Sequence, residues 1–291
     1  MNLFKRLTII CPILLCVYLT GCSSTPVSMV TPDVIYGHKD GMALTYDVFT
    51  PPNPNRAGVI YMVSGGWFSV WKKPEERLSY FRPLLDAGFT VFAVHHGSAP
   101  RFKVPDAVSD VRAAVRHIQA KSGRYKVDTS RLGVWGGSAG GHLSLMLGLN
   151  PEGQPDTNGY GPRKIKPHYD IKPNDDAHLA AVVAYYPPVD IRNRVGPNKR
   201  YPALDFPSIV AKQISPILHP SENDPPTLLI HGTADSVVPL KDSELLKAEL
   251  LKVGVTHELL IITGGDHGFT NLAHRKVATD AMVNWFKRFL L

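Results

Sequence analysis

The feature that most constrains this 291-residue chain is a serine enclosed by glycines at the end of an apolar run. Residues 131–142 read R-L-G-V-W-G-G-S-A-G-G-H and contain the pattern G-x-S-x-G around Ser138. Residues 143–149 look helical, which places the serine at a strand-to-helix turn. Such a turn is sterically tight, so we expect the backbone to pass too close for side chains at Gly136 and Gly140. A glycine-rich structural turn is the alternative, and the rest of the sequence must decide.

Short apolar strands alternate with helical segments along the chain, and this order predicts the fold class. Strands are predicted near residues 34–36, 43–49, 59–63, 90–95, 132–137, 179–185, 227–230 and 257–262. We expect an α/β fold with a mainly parallel central sheet and helices on both faces, forming one domain over residues 33–291. Two long irregular segments, 150–176 and 187–224, are predicted to be insert or lid loops that wall a pocket.

The amino terminus is predicted to be a targeting segment. A short basic region and an apolar run at residues 7–19, too short for a comfortable membrane span, are followed by L-T-G-C ending at Cys22. This resembles a bacterial lipoprotein signal, in which residues 1–21 are removed and Cys22 carries lipid. Residues 22–32 would then be a tether, and Ser23 indicates an outer-membrane anchor with the domain in the periplasm or at the cell surface. An ordinary secretory signal or an uncleaved anchor is the alternative.

Charge and cysteine content limit the possible partners. Two of the three cysteines lie in the predicted signal and the third would be lipidated, so no disulfide is expected. The formal charge falls from +7 to +5 when Lys5 and Arg6 are removed with the signal. These charges are spread along the chain, which favours a solvated surface over nucleic-acid binding.

Two later turns supply the partners that a serine nucleophile needs. A serine hydroxyl reacts only when a base takes its proton and a third group orients that base. In this kind of fold the chain order is serine, then an acid, then histidine, each on a loop after a strand. Asp235 follows the strand at 227–230, and His267 follows the strand that ends at Ile262. We therefore assign Ser138 as nucleophile, Asp235 as orienting acid and His267 as general base.

Other titratable residues near these turns are interpreted as structural. His142 lies four positions after the serine on the same helix and is expected to pack or cap. His95 and His96 end a strand but precede the serine, and His231 ends a core strand. Asp266 adjoins the predicted base, and adjacent side chains rarely point at each other.

An oxyanion hole needs a backbone donor from the loop after an early strand, besides the donor that follows the nucleophile. The S-G-G-W at residues 64–67 is in that place. Counted from the H-G-G-G form of this loop, the donors are the N–H groups of Gly66 and Trp67. The third donor is the N–H of Ala139, directly after the serine. A simple glycine turn is the alternative.

Together these motifs resemble the α/β-hydrolases of the carboxylesterase type, close to the hormone-sensitive-lipase-like esterases. Within them the chain is most similar to the BD-FAE group, named for bifunctional feruloyl and acetyl-xylan esterases. The segments that carry the resemblance are residues 64–67, 134–142, 186–190, 225–239 and 266–269. There are three departures from the family pattern. Ser64 replaces the usual first histidine of the oxyanion motif, and residues 95–98 read H-H-G-S in place of an acidic or arginine-bearing stretch. The insert at about residues 150–176 is longer than the family pattern leads us to expect.

The resemblance implies a serine ester hydrolase that needs neither metal nor cofactor. Its expected substrates are short-chain acyl esters, with acetyl or similar esters on carbohydrates indicated by the BD-FAE group. A peptidase of the prolyl-oligopeptidase type shares the residue order, although such enzymes usually carry a large amino-terminal propeller. Acyl transfer to another alcohol, or a non-catalytic binding role on a hydrolase scaffold, are the remaining alternatives.

Overall fold

The structure is a computed structural model and describes residues 28–150, 166–167 and 178–291. The predicted signal, Cys22 and all but a few residues of the 150–176 loop lie outside the described residues. The first strand begins at Met29, so residues 29–32, predicted to end the tether, belong to the sheet instead. In the described part of the chain, no helix is long and apolar enough to cross a membrane.

Among the described residues, the centre of the fold is one nine-stranded sheet in the order β6-β1-β2-β4-β3-β5-β7-β8-β9. Strands β3, β4, β5, β7, β8 and β9 are parallel, whereas β6, β1, β2 and β4 pair antiparallel with one another. The strands are β1 Met29–Lys39, β2 Met42–Thr50, β3 Gly58–Met62, β4 Thr90–Val94, β5 Leu132–Gly137, β6 Lys166–Pro167, β7 Ala181–Tyr185, β8 Thr227–Gly232 and β9 His257–Ile262. The predicted mainly parallel α/β sheet is therefore confirmed.

In the described part of the chain, five α-helices cover the two faces of the sheet. They are α1 Leu78–Asp86, α2 Val104–Lys121, α3 Ala139–Leu149, α4 Leu240–Lys252 and α5 Leu272–Leu290. Alternate residues of the buried strands enter two separate apolar clusters, as the two-residue period of a strand requires. Val59 and Trp135 join the cluster that holds α1 and α5, whereas Ile60 and Val134 join the one that holds α2, α3 and α4. The sheet is thus packed on both sides, as its uninterrupted apolar strands predicted.

The strand order places a crevice at one end of the sheet. The chain passes from β3 outward to β4, then returns to place β5 on the other side of β3. The loops that follow β3 and β5 therefore separate in opposite directions at the carboxyl edge of the sheet. Ligand sites of open α/β sheets lie at this kind of switch point. The loop at residues 64–67 and the turn at Ser138 border this crevice.

Candidate active site

Ser138 occupies a strained turn between β5 and α3. Its φ of +55° and ψ of −120° lie in a region that residues with a side chain rarely adopt. A Cβ added at Gly136 would overlap the backbone of Gly140, and one added at Gly140 would lie 3.0 Å from the carbonyl oxygen of Met62. These close approaches leave no room for a side chain at Gly136 and very little at Gly140, as the sequence predicted. The turn is held by a 2.9 Å hydrogen bond from the Ser138 N–H to the carbonyl oxygen of Tyr185.

The three residues assigned as nucleophile, base and acid form one chain of hydrogen bonds. His267 Nε2 lies 3.0 Å from Ser138 Oγ, and His267 Nδ1 lies 2.7 Å from Asp235 Oδ2. Because a carboxylate only accepts, Nδ1 carries the proton of a neutral ring and Nε2 accepts from the serine hydroxyl. Buried Oδ1 of Asp235 accepts the N–H groups of Val237 and Val238 at 2.8 and 2.9 Å, which fixes the carboxylate.

The loops that carry Asp235 and His267 are joined to each other. The N–H of Ala234 donates to the carbonyl oxygen of Gly265 at 2.9 Å, and that of Thr233 donates to Ile262 at 3.1 Å. A Cβ on Gly265 would lie 3.1 Å from Cα of Gly232, so the two backbones are almost in contact. The acid and the base are thus presented by one double loop at the carboxyl ends of β8 and β9.

The competing histidines and the neighbouring aspartate have other partners. His142 is buried, its Nε2 donates to the carbonyl oxygen of Ile214 at 2.8 Å, and burial lowers its pKa to about 4. His231 is buried between Ser243 Oγ and the carbonyl oxygen of Val238, and burial lowers its pKa too. The carboxylate of Asp266 accepts the N–H of the nearby Thr270 at 2.9 Å. None of these residues competes for the serine hydroxyl.

The loop at residues 64–67, which is predicted to supply the oxyanion donors, forms a tight turn. Gly66 and Trp67 have φ values of +57° and +60°, and paired 3.0 Å hydrogen bonds between Gly65 and Phe68 close the turn around them. Within the described residues, no protein acceptor takes the N–H of Gly66 or Trp67. Ala139 is the first residue of α3, where helix N–H groups have no intrahelical partner and the helix dipole favours negative charge.

Two cavities meet at Ser138. One of about 380 Å³ is lined by Ser64, Gly65, Gly66, Gly137, Ser138, Val237, His267 and Gly268, by Tyr61, Tyr80, Tyr186 and Tyr201, and by Arg200. The other, of about 360 Å³, is lined by Gly66, Trp67, Ser138, Pro188, Asn193, Arg194, Asn198, Tyr201, Leu204, Val237 and Val238. Tyr201 borders both cavities. Residues 188–204 of the predicted loop at 187–224 therefore wall the site. The loop as a whole contains three 3₁₀ turns joined by irregular segments.

Several of these lining residues were missed by the sequence reasoning. Tyr186 packs its ring 4.5 Å from that of His267, and burial raises the pKa of its hydroxyl, so the phenol stays protonated. Its place directly after β7 was the available signal, because residues there reach the carboxyl edge of the sheet. Among the described residues, no group of three or more His, Cys, Asp or Glu side chains could hold a metal ion.

The sheet, its crevice and the Ser138 turn define an α/β-hydrolase fold. A family model described as BD-FAE matches residues 46–250, which is more than half of the chain. The chain therefore belongs to the BD-FAE family. It is 27% identical over 255 residues to the esterase LipC of Mycobacterium tuberculosis, covering 81% of this chain and 59% of LipC. The chain thus spans less than two thirds of the length of the curated relatives it matches first.

Two solved structures share this fold. A truncated carbohydrate esterase from gut microbiota superimposes with a TM-score of 0.73 at 28% identity, covering 91% of this chain and 97% of that one. A bifunctional GH43-CE protein of Bacteroides eggerthii gives a TM-score of 0.69 at 28% identity, covering 89% of this chain and 38% of that one.

Proposed function

We propose that this protein is a serine ester hydrolase that acts on short-chain acyl esters, such as acetyl esters on carbohydrates. The observation that carries the proposal is the hydrogen-bond chain from Ser138 through His267 to Asp235, at the carboxyl edge of the sheet. Membership of the BD-FAE family and the likeness to a carbohydrate esterase support the same reaction class.

In the proposed first step, Ser138 Oγ attacks the ester carbonyl carbon while its proton passes to His267 Nε2. Asp235 holds the ring in the tautomer with hydrogen on Nδ1 and stabilises the imidazolium that forms. Collapse of the tetrahedral intermediate breaks the bond to the alcohol, which takes the proton from Nε2. Water then attacks the acyl-serine with the same base, which releases the acid and restores the serine.

The negative charge of the tetrahedral intermediate falls on the former carbonyl oxygen. We propose that the N–H groups of Gly66, Trp67 and Ala139 hold it, because the first two have no protein acceptor in the described structure and the third begins a helix. One such donor is worth about 10²–10³ in kcat in a comparable enzyme. The proposed step uses only groups of the protein and the substrate.

We propose that the two cavities bind different parts of the substrate, one the alcohol and the other the acyl group. The leaving oxygen must reach His267 Nε2, and His267 lines the tyrosine-rich cavity. We therefore place the alcohol there, where phenol hydroxyls and ring faces of four tyrosines suit a sugar. The acyl group would enter the cavity beside Trp67 and Leu204. Its volume of about 360 Å³ equals roughly a dozen water molecules at about 30 Å³ each, which leaves room beyond acetyl.

We also propose that Cys22 is lipidated after removal of residues 1–21, which would anchor the domain to a bacterial outer membrane, facing the periplasm or the cell surface. The strand that starts at Met29 leaves only about six residues after the lipid, or at most about 20 Å of chain. The full chain should fractionate with membranes and a Cys22→Ala variant should not. Equal membrane association of both would refute the anchor.

The experiment that tests the reaction is hydrolysis of p-nitrophenyl esters of increasing acyl length by the protein and by Ser138→Ala. Ser130→Ala, an exposed serine in a turn before β5, is the matched control. We expect turnover of acetate and butyrate that disappears in Ser138→Ala and persists in the control. No ester turnover, or equal turnover by Ser138→Ala, would refute the proposal. Cleavage of proline p-nitroanilides alone would favour the peptidase, and the absence of any turnover would favour the binding role.

A further inference from the structure

The loop after β4 supports the loop that carries the predicted oxyanion donors. His96 Nε2 lies 2.9 Å from Ser64 Oγ, and the N–H of His96 donates to Ser69 Oγ at 3.2 Å. The N–H of Ser69 donates to Ser98 Oγ at 3.0 Å, and that of Ala99 donates to the carbonyl oxygen of Trp67 at 3.1 Å. Four hydrogen bonds thus connect residues 96–99 to residues 64–69 on both sides of Gly66.

The direction of the His96–Ser64 hydrogen bond follows from the other ring nitrogen. Nδ1 lies 2.8 Å from the carbonyl oxygen of Gly97, which can only accept, so Nδ1 carries a proton. The ring is buried, and burial lowers its pKa to about 4, so it is neutral near pH 7. Nε2 therefore has only a lone pair, and the Ser64 hydroxyl donates to it. The ring acts as a fixed acceptor for Ser64.

The backbone next to His96 is fixed by contacts with β1 and α2. The N–H of Gly97 donates to Asp110 Oδ2 at 2.8 Å, and Lys39 Nζ contacts the same buried carboxylate at 2.6 Å. A Cβ on Gly97 would lie 2.7 Å from the Phe102 ring, so the segment has no room to shift toward Phe102. The acceptor that Ser64 uses is therefore fixed by β1 and α2 rather than by the loop itself.

We propose that His96 is a positioning residue for the oxyanion hole and that it acts through the hydroxyl of Ser64. Ser64 is the first residue of the loop, and its carbonyl oxygen lies 3.4 Å from the position of a Cβ on Gly140, directly against the nucleophile turn. Rotation of Ser64 would carry the following peptides, and with them the N–H groups of Gly66 and Trp67. The inference rests on the proposed ester hydrolysis.

The test compares His96→Asn with His96→Gln in p-nitrophenyl acetate hydrolysis. Glutamine places its amide oxygen near the position of Nε2 and can still accept from Ser64, whereas asparagine is too short to reach it. We expect kcat to fall about tenfold in His96→Asn with KM within about twofold, because displaced donors weaken binding of the transition state rather than of the ester. His96→Gln should recover most of the lost kcat. His95→Asn is the control, since the His95 ring faces Asp47 at 3.4 Å instead.

A double-mutant cycle tests whether His96 acts through the hydroxyl of Ser64. Ser64→Ala removes only the hydroxyl and should lower kcat by a similar factor of about ten. Because both changes break the same hydrogen bond, Ser64→Ala combined with His96→Asn should be no slower than the slower single variant. If His96→Asn does not fold, Ser64→Ala carries the test alone, because it is a small change and a wild-type kcat in it would overturn the inference.

Three results would overturn the inference while the wild type remains active: wild-type kcat in both single variants, a loss expressed in KM alone, or multiplied losses in the double variant. A wild type without Ser138-dependent ester turnover would instead refute the proposed function, and the inference with it.

Discussion

Replacement of Asp235 by asparagine should abolish most of the activity, because the proton on the His267 ring would move from Nδ1 to Nε2. The carboxylate accepts three hydrogen bonds: two backbone N–H groups at Oδ1 and the Nδ1–H of His267 at Oδ2. An asparagine has one oxygen and one NH₂ group for these two positions. It must therefore turn the NH₂ group either to the backbone donors or to the imidazole.

The geometry decides between the two orientations. An NH₂ group facing Val237 and Val238 would leave two partly buried donors without protein acceptors, at up to about 1–3 kcal/mol each. An NH₂ group facing His267 costs less, because the ring can respond by moving its proton to Nε2. That tautomer donates toward Ser138 and cannot take its proton. The corresponding change in a serine protease lowers kcat about 10⁴-fold, equal to about 5 kcal/mol of transition-state stabilisation.

The assay is steady-state hydrolysis of p-nitrophenyl acetate near pH 7 by Asp235→Asn, with Asp266→Asn as control. We expect a drop of about 10⁴-fold in kcat for the first and less than about threefold for the second, since Asp266 bonds to Thr270 instead. Thermal unfolding should show that both variants are folded. A fall of less than about tenfold in Asp235→Asn, or a larger loss in Asp266→Asn, would refute the assignment of the acid.

Three further outcomes are expected. Gly140→Ala should lower stability in urea unfolding by about 1–3 kcal/mol and impair activity, because its Cβ would meet the Met62 carbonyl oxygen. The control is Gly123→Ala, whose Cβ would have nothing within 4 Å and which should change stability by less than about 0.5 kcal/mol. Burial holds the pKa of His142 at about 4 against an ordinary 6.5. The neutral ring therefore contributes about 3 kcal/mol to the free energy of unfolding, and this contribution is complete above pH 6.5 and is lost as the pH falls through 4. Unfolding of His142→Gln should depend less on pH in that range, and an unchanged dependence would refute this. Tyr201→Ala joins the two cavities, so relative kcat/KM for bulky over small esters should rise in a chain-length series; an unchanged ratio would refute Tyr201 as the partition.

The fold could be predicted because the residues that specify each strand and turn are close together in the sequence. Each strand is a short apolar run, and each connection carries its own turn residues, such as Asp40-Gly41 with φ values of +49° and +79° at the β1–β2 hairpin. The chain order of Ser138, Asp235 and His267 was also readable, since each follows a strand that ends at the same edge of the sheet. The structure brings these three together, and their catalytic roles stay predictions.

The features that could not be predicted from the sequence depend on contacts between segments that are distant along the chain. His96 and Ser64 are 32 residues apart, and their hydrogen bond exists only because β4 lies beside β3. The sequence singled out both as departures from the family pattern without showing that they meet. Tyr201 lies in an irregular loop without periodicity, so its place between two cavities could not be inferred. The start of β1 at Met29, five residues before the predicted strand, was missed because its first residues alternate poorly in hydropathy.

The central claim is that Ser138 is the nucleophile, and covalent capture tests it most directly. Attack of Ser138 Oγ on paraoxon would form a phosphorus–oxygen bond and release p-nitrophenolate, which leaves a diethylphosphoryl group on the serine. Intact-protein mass spectrometry with peptide mapping should find one such group per chain, on the peptide that contains Ser138, and none on Ser138→Ala. An unmodified wild type, or the same modification on both proteins, would contradict the account.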